Sequence, residues 1–192
     1  MPRSRVPSLL LVTPYLAQAN NGNWRTAARW ARLLTPFHRV IVQATDTPIP
    51  GSRGADAGLL VALHARRSHA AIAAWQRAHP DRPLVVALTG TDLYRDLPGG
   101  DAAALASMTW ADRLVVLQDD ARTHVPAALR DKVRVVYQSA RSLLPWPRKP
   151  ADRLHCVLVA HLRDEKDPAT AFAAWWHLAD DVDATLTIIG AA

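Results

Sequence analysis

Six short runs of leucine and β-branched residues recur along the chain, at Leu9–Thr13, Val40–Ala44, Leu59–Leu63, Leu84–Leu88, Leu114–Leu117 and Val133–Tyr137. None alternates apolar with polar at period two, so each reads as a strand buried on both faces, as in a parallel sheet covered by helices. Helical periodicity fills most of the intervals. Trp24, Ala27, Ala28, Ala31 and Leu34 form one apolar stripe; Ala70, Ala71, Ala74, Trp75 and Ala78 form a second; Ala102, Leu105, Ala106 and Trp110 form a third. A fourth, from Asp119 to Leu129, is weakened by Pro126. Strand and helix in alternation predict βαβ units and an α/β, Rossmann-like, doubly wound parallel sheet.

The pattern breaks at Ser142–Pro150, where Pro145, Pro147 and Pro150 exclude a continuing helix or a central strand. The reading is therefore a first domain over 1–141, a linker over 142–152 and a second α/β unit over 153–192. That unit carries a strand at Leu154–Ala160, a helix at Pro168–Leu178 and a strand at Ala184–Ile189. Two strands and one helix cannot enclose a core. The second domain is thus expected to be incomplete, and the chain alone to be inactive as an enzyme.

Composition narrows the class. Of 192 residues, 49% are apolar and 21% charged, which suits a folded globular protein rather than a disordered one. The apolar run after the basic start Pro2-Arg3-Ser4-Arg5 is too short for a signal sequence or a membrane span, so no membrane partner and a cytoplasmic location are expected. A single cysteine, Cys156, lies in a strand-like run and is expected to be a buried, inert thiol. The formal charge of +6 comes from scattered arginines, with lysine only at 132, 149 and 166. Without a basic run or an aromatic-interleaved stripe, compact anions are better partners than nucleic acid.

In an open parallel sheet, ligands bind at the carboxyl ends of the strands, where strand order reverses. The loop after the first strand carries Asn20, Asn21, Gly22 and Asn23 and runs into a helix start beside Arg25, which is either an anion site or an Asn-Gly turn with an asparagine cap. His64, Arg66, Arg67 and Ser68 follow the third strand; two guanidiniums at a capped helix start suit bidentate contact with a phosphate-like group. Arg67 on its own reads as solvated, and His64, abutting the strand end, is expected to face a ligand. Thr89, Gly90, Thr91 and Asp92 follow the fourth strand and either hold a polar ligand or cap a helical turn. Asp119 and Asp120 read as structural, favouring a helix dipole. In the second unit, Arg163 and Lys166 precede a helix with Pro168 near its first position, where they serve either a diphosphate or ion pairs with Asp164, Glu165 and Asp167.

Together these loops resemble the retaining GT-B glycosyltransferases that use nucleotide sugars. Lys166 matches that superfamily's donor-diphosphate lysine, while Ala160 and His161 stand where Gly and Arg are usual, leaving Arg163 for the arginine's role. The runs "LLVALHARRS" (59–68), "RPLVVALTGTDLYRDLP" (82–98), "ADRLVVLQ" (111–118) and "AHLRDEKDP" (160–168) are similar to the selenosugar synthases of selenoneine biosynthesis, with a match over almost the whole chain.

That resemblance implies a GT-B-like fold and transfer of a sugar from a UDP-sugar donor to selenophosphate, with no cofactor and no metal. An anionic nucleophile needs no base; it needs cationic groups to bring it to a second anion and to stabilise the departing diphosphate. The resemblance implies Arg25, Arg66 and Arg67 for the nucleophile, with Asn21, Gly22, Thr89, Gly90 and Thr91 around it. Arg163 and Lys166 serve the donor diphosphate, and His64 and Asp92 border the sugar as catalytic residues. Two other classes remain open: a glycosyltransferase with a hydroxyl acceptor, and a non-catalytic module binding a small anion.

Overall fold

A computed structural model describes residues 8–19, 21–140, 142, 153–178 and 182–190. The linker expected at 142–152 lies outside the described residues except for Ser142, as do the basic start and Asn20. The chain divides into two compact units, Met1–Ala140 and Arg141–Ala192.

The first unit is an α/β layer structure on a six-stranded, all-parallel sheet. Its strands are β1 (Ser8–Thr13), β2 (Arg39–Ala44), β3 (Leu59–Leu63), β4 (Leu84–Ala87), β5 (Arg113–Val116) and β6 (Val133–Val135), in the order β2-β1-β3-β4-β5-β6. Among the described residues four α-helices accompany them: α1 (Gly22–Leu34), α2 (His69–Ala78), α3 (Ala102–Trp110) and the single turn α4 (Ala121–His124).

Burial explains why the strands show no period-two pattern. Leu10 and Val12 of β1, Leu60 and Ala62 of β3, and Val86 of β4 pack with Ile72 and Trp75 of α2 and Met108 of α3. Their neighbours Leu9, Leu11, Val61, Leu63 and Ala87 face the other way, against Ala27, Trp30 and Leu34 of α1. Both faces are covered, so alternate residues have equal need to be apolar.

Several expectations are corrected at element level. The stripe assigned to α3 is rotated: Ala104, Ser107 and Met108 are buried, whereas Leu105 and Trp110 are exposed. The helix is apolar nearly all round, and periodicity cannot orient such a surface. The expected helix over 119–129 is broken by Pro126 into α4 and a 3-10 turn at Ala127–Lys132. Strand β6 ends at Val135, before Tyr137.

The second unit pairs β7 (Leu154–Val159) in parallel with β8 (Ala184–Ile189), joined through α5 (Pro168–Trp176). Gly190 ends β8 against β7, where a β-carbon would lie 1.9 Å from the Ala160 carbonyl oxygen, so no other residue fits. Cys156, expected to be buried, is half-buried on β7.

Candidate functional site

Strand order turns at β1: β2 lies on one side of it and β3 through β6 extend on the other. The loops leaving the carboxyl ends of β1 and β3 therefore diverge over a natural crevice. Tyr15 comes two residues after β1, and His64 directly after β3.

The turn after β3 is wound around its own first side chain, His64, and that of Asp92 from the loop after β4. His64 adopts a left-handed backbone at φ 71°, which costs a non-glycine residue about 1–3 kcal/mol. Hydrogen bonds hold it there. Its Nδ1 accepts from the Arg67 backbone N–H at 3.3 Å, so the neutral ring carries its proton on Nε2 and donates it to Thr91 Oγ1 at 2.9 Å. The ring is 2% exposed, and burial lowers its pKa from the usual histidine value, outweighing the opposing Asp92 carboxylate; Arg67 and Arg95 act in the same direction as burial. A neutral histidine is the result.

Asp92 is fully buried at 0% exposure. Its carboxylate accepts from the backbone N–H groups of Ala65 (2.9 Å), Thr89 (3.0 Å), Gly90 (2.9 Å) and Leu93 (3.2 Å). One side chain thus folds the Thr89–Gly90 bend and ties it to the turn after β3. Gly90 sits at φ 136°, which side-chain-bearing residues rarely adopt. Expected to border a sugar, Asp92 instead points inward and has its acceptor capacity spent on backbone. A π-helical turn at Asp92–Asp96 follows.

The two arginines of this turn part company. Arg66 Nε donates to Asp101 at 2.8 Å, and its Nη1 lies 3.8 Å from Asp96. Half-exposed at 48% and matched by two carboxylates, it has little charge left for a ligand. Arg67 forms no ion pair among the described residues. Its Nη1 donates to the Tyr15 hydroxyl, and its guanidinium stacks 5.2 Å from the centre of that ring. Tyr15 and Arg67 together bridge the loops of β1 and β3 across the switch point. Thr91, half-buried, accepts from His64 and keeps its own hydroxyl proton for a partner. Ser68 does not cap α2 with its side chain; its hydroxyl donates to Leu63 O at 2.5 Å.

On the β1 side, Asn21 caps α1 by accepting from the Trp24 N–H at 3.1 Å, which commits its oxygen to the helix. Space beside Gly22 is open, and Arg25 is exposed without a side-chain partner among the described residues. The tail after β6 returns to this helix: Gln138 Nε2 donates to Thr26 Oγ1 at 2.8 Å and Arg29 Nε to Ser139 Oγ at 2.5 Å.

Sequence reasoning missed Tyr15, Asp96, Asp101 and Gln138. Tyr15 alone had a signal, its place directly after the first strand; the others are set by tertiary contacts spanning tens of residues.

In the second unit, a 3-10 turn at Asp164–Lys166 follows β7. Asp167 takes a left-handed backbone at φ 45° and caps α5 by accepting from Thr170 N–H at 3.2 Å; hydrogen bonds from the Thr170 side chain and then its backbone lower the Asp167 pKa. Pro168 occupies the start of α5, as expected. Arg163 and Lys166 are exposed, and neither forms an ion pair among the described residues. Among those residues, no helix is long and apolar enough to cross a membrane.

Compared with known proteins, the chain matches no family model, and no curated protein matches it.

Proposed function

We propose that the protein belongs to a cytoplasmic glycosyltransferase of the selenosugar synthase type, transferring a sugar from a UDP-sugar to selenophosphate. The first unit takes the selenophosphate and the second takes the donor's diphosphate. The observation that carries the reading is Arg67: an arginine without an ion pair among the described residues, fixed by Tyr15 at the switch point, in the turn whose His64 donates to the Thr91 hydroxyl. Four of its five N–H donors remain after the tyrosine contact, a fork suited to a phosphate-like group. Thr91 supplies a further donor, and Arg25 a second positive charge from α1.

The chemistry fits a site without a base. Selenium of the dianion attacks the anomeric carbon, a carbon–selenium bond forms, and the carbon–oxygen bond to the diphosphate breaks with its electron pair leaving on UDP. No proton is removed from the nucleophile, so a buried neutral histidine is not needed as an acceptor. His64 positions Thr91 and the Arg67 backbone instead. Arg163 and Lys166, which form no ion pair among the described residues, take the charge that develops on the departing diphosphate in this reading.

Amide chemical-shift titration of the 192-residue chain tests the division of labour. Selenophosphate should shift Thr91, Arg67 and Arg25, and UDP should shift Arg163 and Lys166. If selenophosphate left the turn after β3 unmoved, or if both ligands shifted the same residues, the reading would be wrong.

A further inference from the structure

The chain holds three tyrosines, and each follows the carboxyl end of a strand of the first sheet: Tyr15 after β1, Tyr94 after β4 and Tyr137 after β6. Each phenol is tied to a side chain from a different loop. Tyr15 serves the switch point. The other two converge on the loop after β5. Gln118 Nε2 donates to the Tyr94 hydroxyl at 2.7 Å, and the Tyr137 hydroxyl donates to Asp119 Oδ2. The Tyr94 ring meets the His124 ring edge-on, with centroids 5.0 Å apart at 81°, and His124 Nε2 lies 3.3 Å from Asp120 Oδ2.

Both rings nevertheless stay exposed, Tyr94 at 43% and Tyr137 at 63%. Holding an exposed aromatic ring in one orientation costs side-chain freedom that burial does not repay here. Tyrosine fixed in this way offers rigid apolar area at low entropic cost to an incoming ligand. The groups linked to the two rings, directly or through one another, are an amide, two carboxylates and an imidazole, which suit hydroxyl groups. The carboxylates oppose an anion, which separates this ledge from the arginine-bearing switch point.

We infer that the ledge formed by Tyr94, Gln118, Asp119, Asp120, His124 and Tyr137 is a binding subsite for a neutral sugar ring. The ring's C–H face stacks on a tyrosine, and its hydroxyls pair with Gln118, Asp120 and His124. The bond to Asp119 raises the pKa of the Tyr137 phenol, which is neutral at physiological pH in any case. This goes beyond the anion site and rests on separate residues.

Saturation-transfer NMR of the 192-residue chain with methyl β-D-glucopyranoside is the test, with uridine as the planar-ring control and selenophosphate titrated in the same sample. Transfer from tyrosine ring protons to the sugar C–H groups is expected. It should fall at least fivefold in Tyr94→Ala and in Tyr137→Ala, at least threefold in Gln118→Ala, and less than twofold in Tyr94→Phe, which keeps the ring. Amide spectra matching the parent protein show that each variant is folded. Absence of transfer to the sugar, transfer indifferent to both alanine variants, or binding of uridine in place of the sugar would each overturn the assignment. Selenophosphate binding that persists in that case leaves the switch-point reading standing, so the two fail separately.

Discussion

Leu60 on β3 and Leu158 on β7 are both leucines in parallel strands followed by a helix, yet Leu60 is fully buried and Leu158 only half-buried. Among the described residues, five further strands and helices on both faces accompany the first; one strand and one α-helix accompany the second. Among the described residues of the second unit none is buried, and Val157, Val159 and Trp176 are exposed. The same local strand–helix–strand pattern therefore gives a rigid platform in one unit and a two-stranded parallel layer without buried residues among those described in the other. The number of neighbouring elements, not the strand sequence, decides how precisely a loop at a strand end can be held. His64 can be kept at an unfavourable backbone angle because β1, β3 and β4 are all fixed beneath it; Arg163 and Lys166 have no comparable support.

Substitutions sharpen this contrast, beginning with the largest effect. Asp92→Ala strands several buried backbone N–H groups at about 1–3 kcal/mol each, so a loss of at least about 3 kcal/mol is expected in urea unfolding. A loss below about 1 kcal/mol would mean that the carboxylate does not organise the platform. Leu60→Ala should cost about 2–5 kcal/mol, whereas Leu158→Ala, with less burial to lose, should cost under about 1 kcal/mol. Equal costs would erase the distinction between the units. Amide exchange should follow the same order, with Leu10, Val61 and Val86 protected far longer than Val157 and Ile188.

A smaller effect comes from pH. His64 has a folded pKa below its unfolded value of about 6.5, so its contribution to stability is present above that value and is lost as pH falls toward the folded pKa. His64→Asn keeps a residue that tolerates the left-handed backbone and removes the titration. The difference in melting temperature between parent and variant should therefore shrink from pH 7.5 to pH 5. A constant difference would show that His64 does not titrate as described.

Much of the platform was legible in the sequence. Continuous apolar runs such as Leu59–Leu63 announced doubly covered strands, and the loops that follow them lie at the carboxyl ends of the parallel sheet. What a linear reading could not supply was pairing. Arg66 and Arg67 are adjacent and chemically alike, and the reading favoured Arg66 for the ligand; Asp96 and Asp101, some thirty residues on, neutralise it and leave Arg67 exposed to the crevice. His64 and Asp92 were picked for their chemistry; in the folded turn both are buried, with their polar atoms bonded to neighbouring backbone and to Thr91. Nothing in sequence spacing reveals which of two neighbouring side chains will find a partner.

That exchange of roles is open to one direct measurement: calorimetric titration of selenophosphate into the parent chain, Arg66→Ala, Arg67→Ala and, as a control at the amino edge of β5, Arg113→Ala. A charge-assisted contact is worth about 1.5–3 kcal/mol, so Arg67→Ala should weaken binding by at least about tenfold. Arg66→Ala should weaken it by less than about threefold, and Arg113→Ala should leave it unchanged. A tenfold loss in Arg66→Ala with Arg67→Ala near the parent, or equal affinity in all four proteins, would contradict the assignment of the anion site to the β1/β3 switch point.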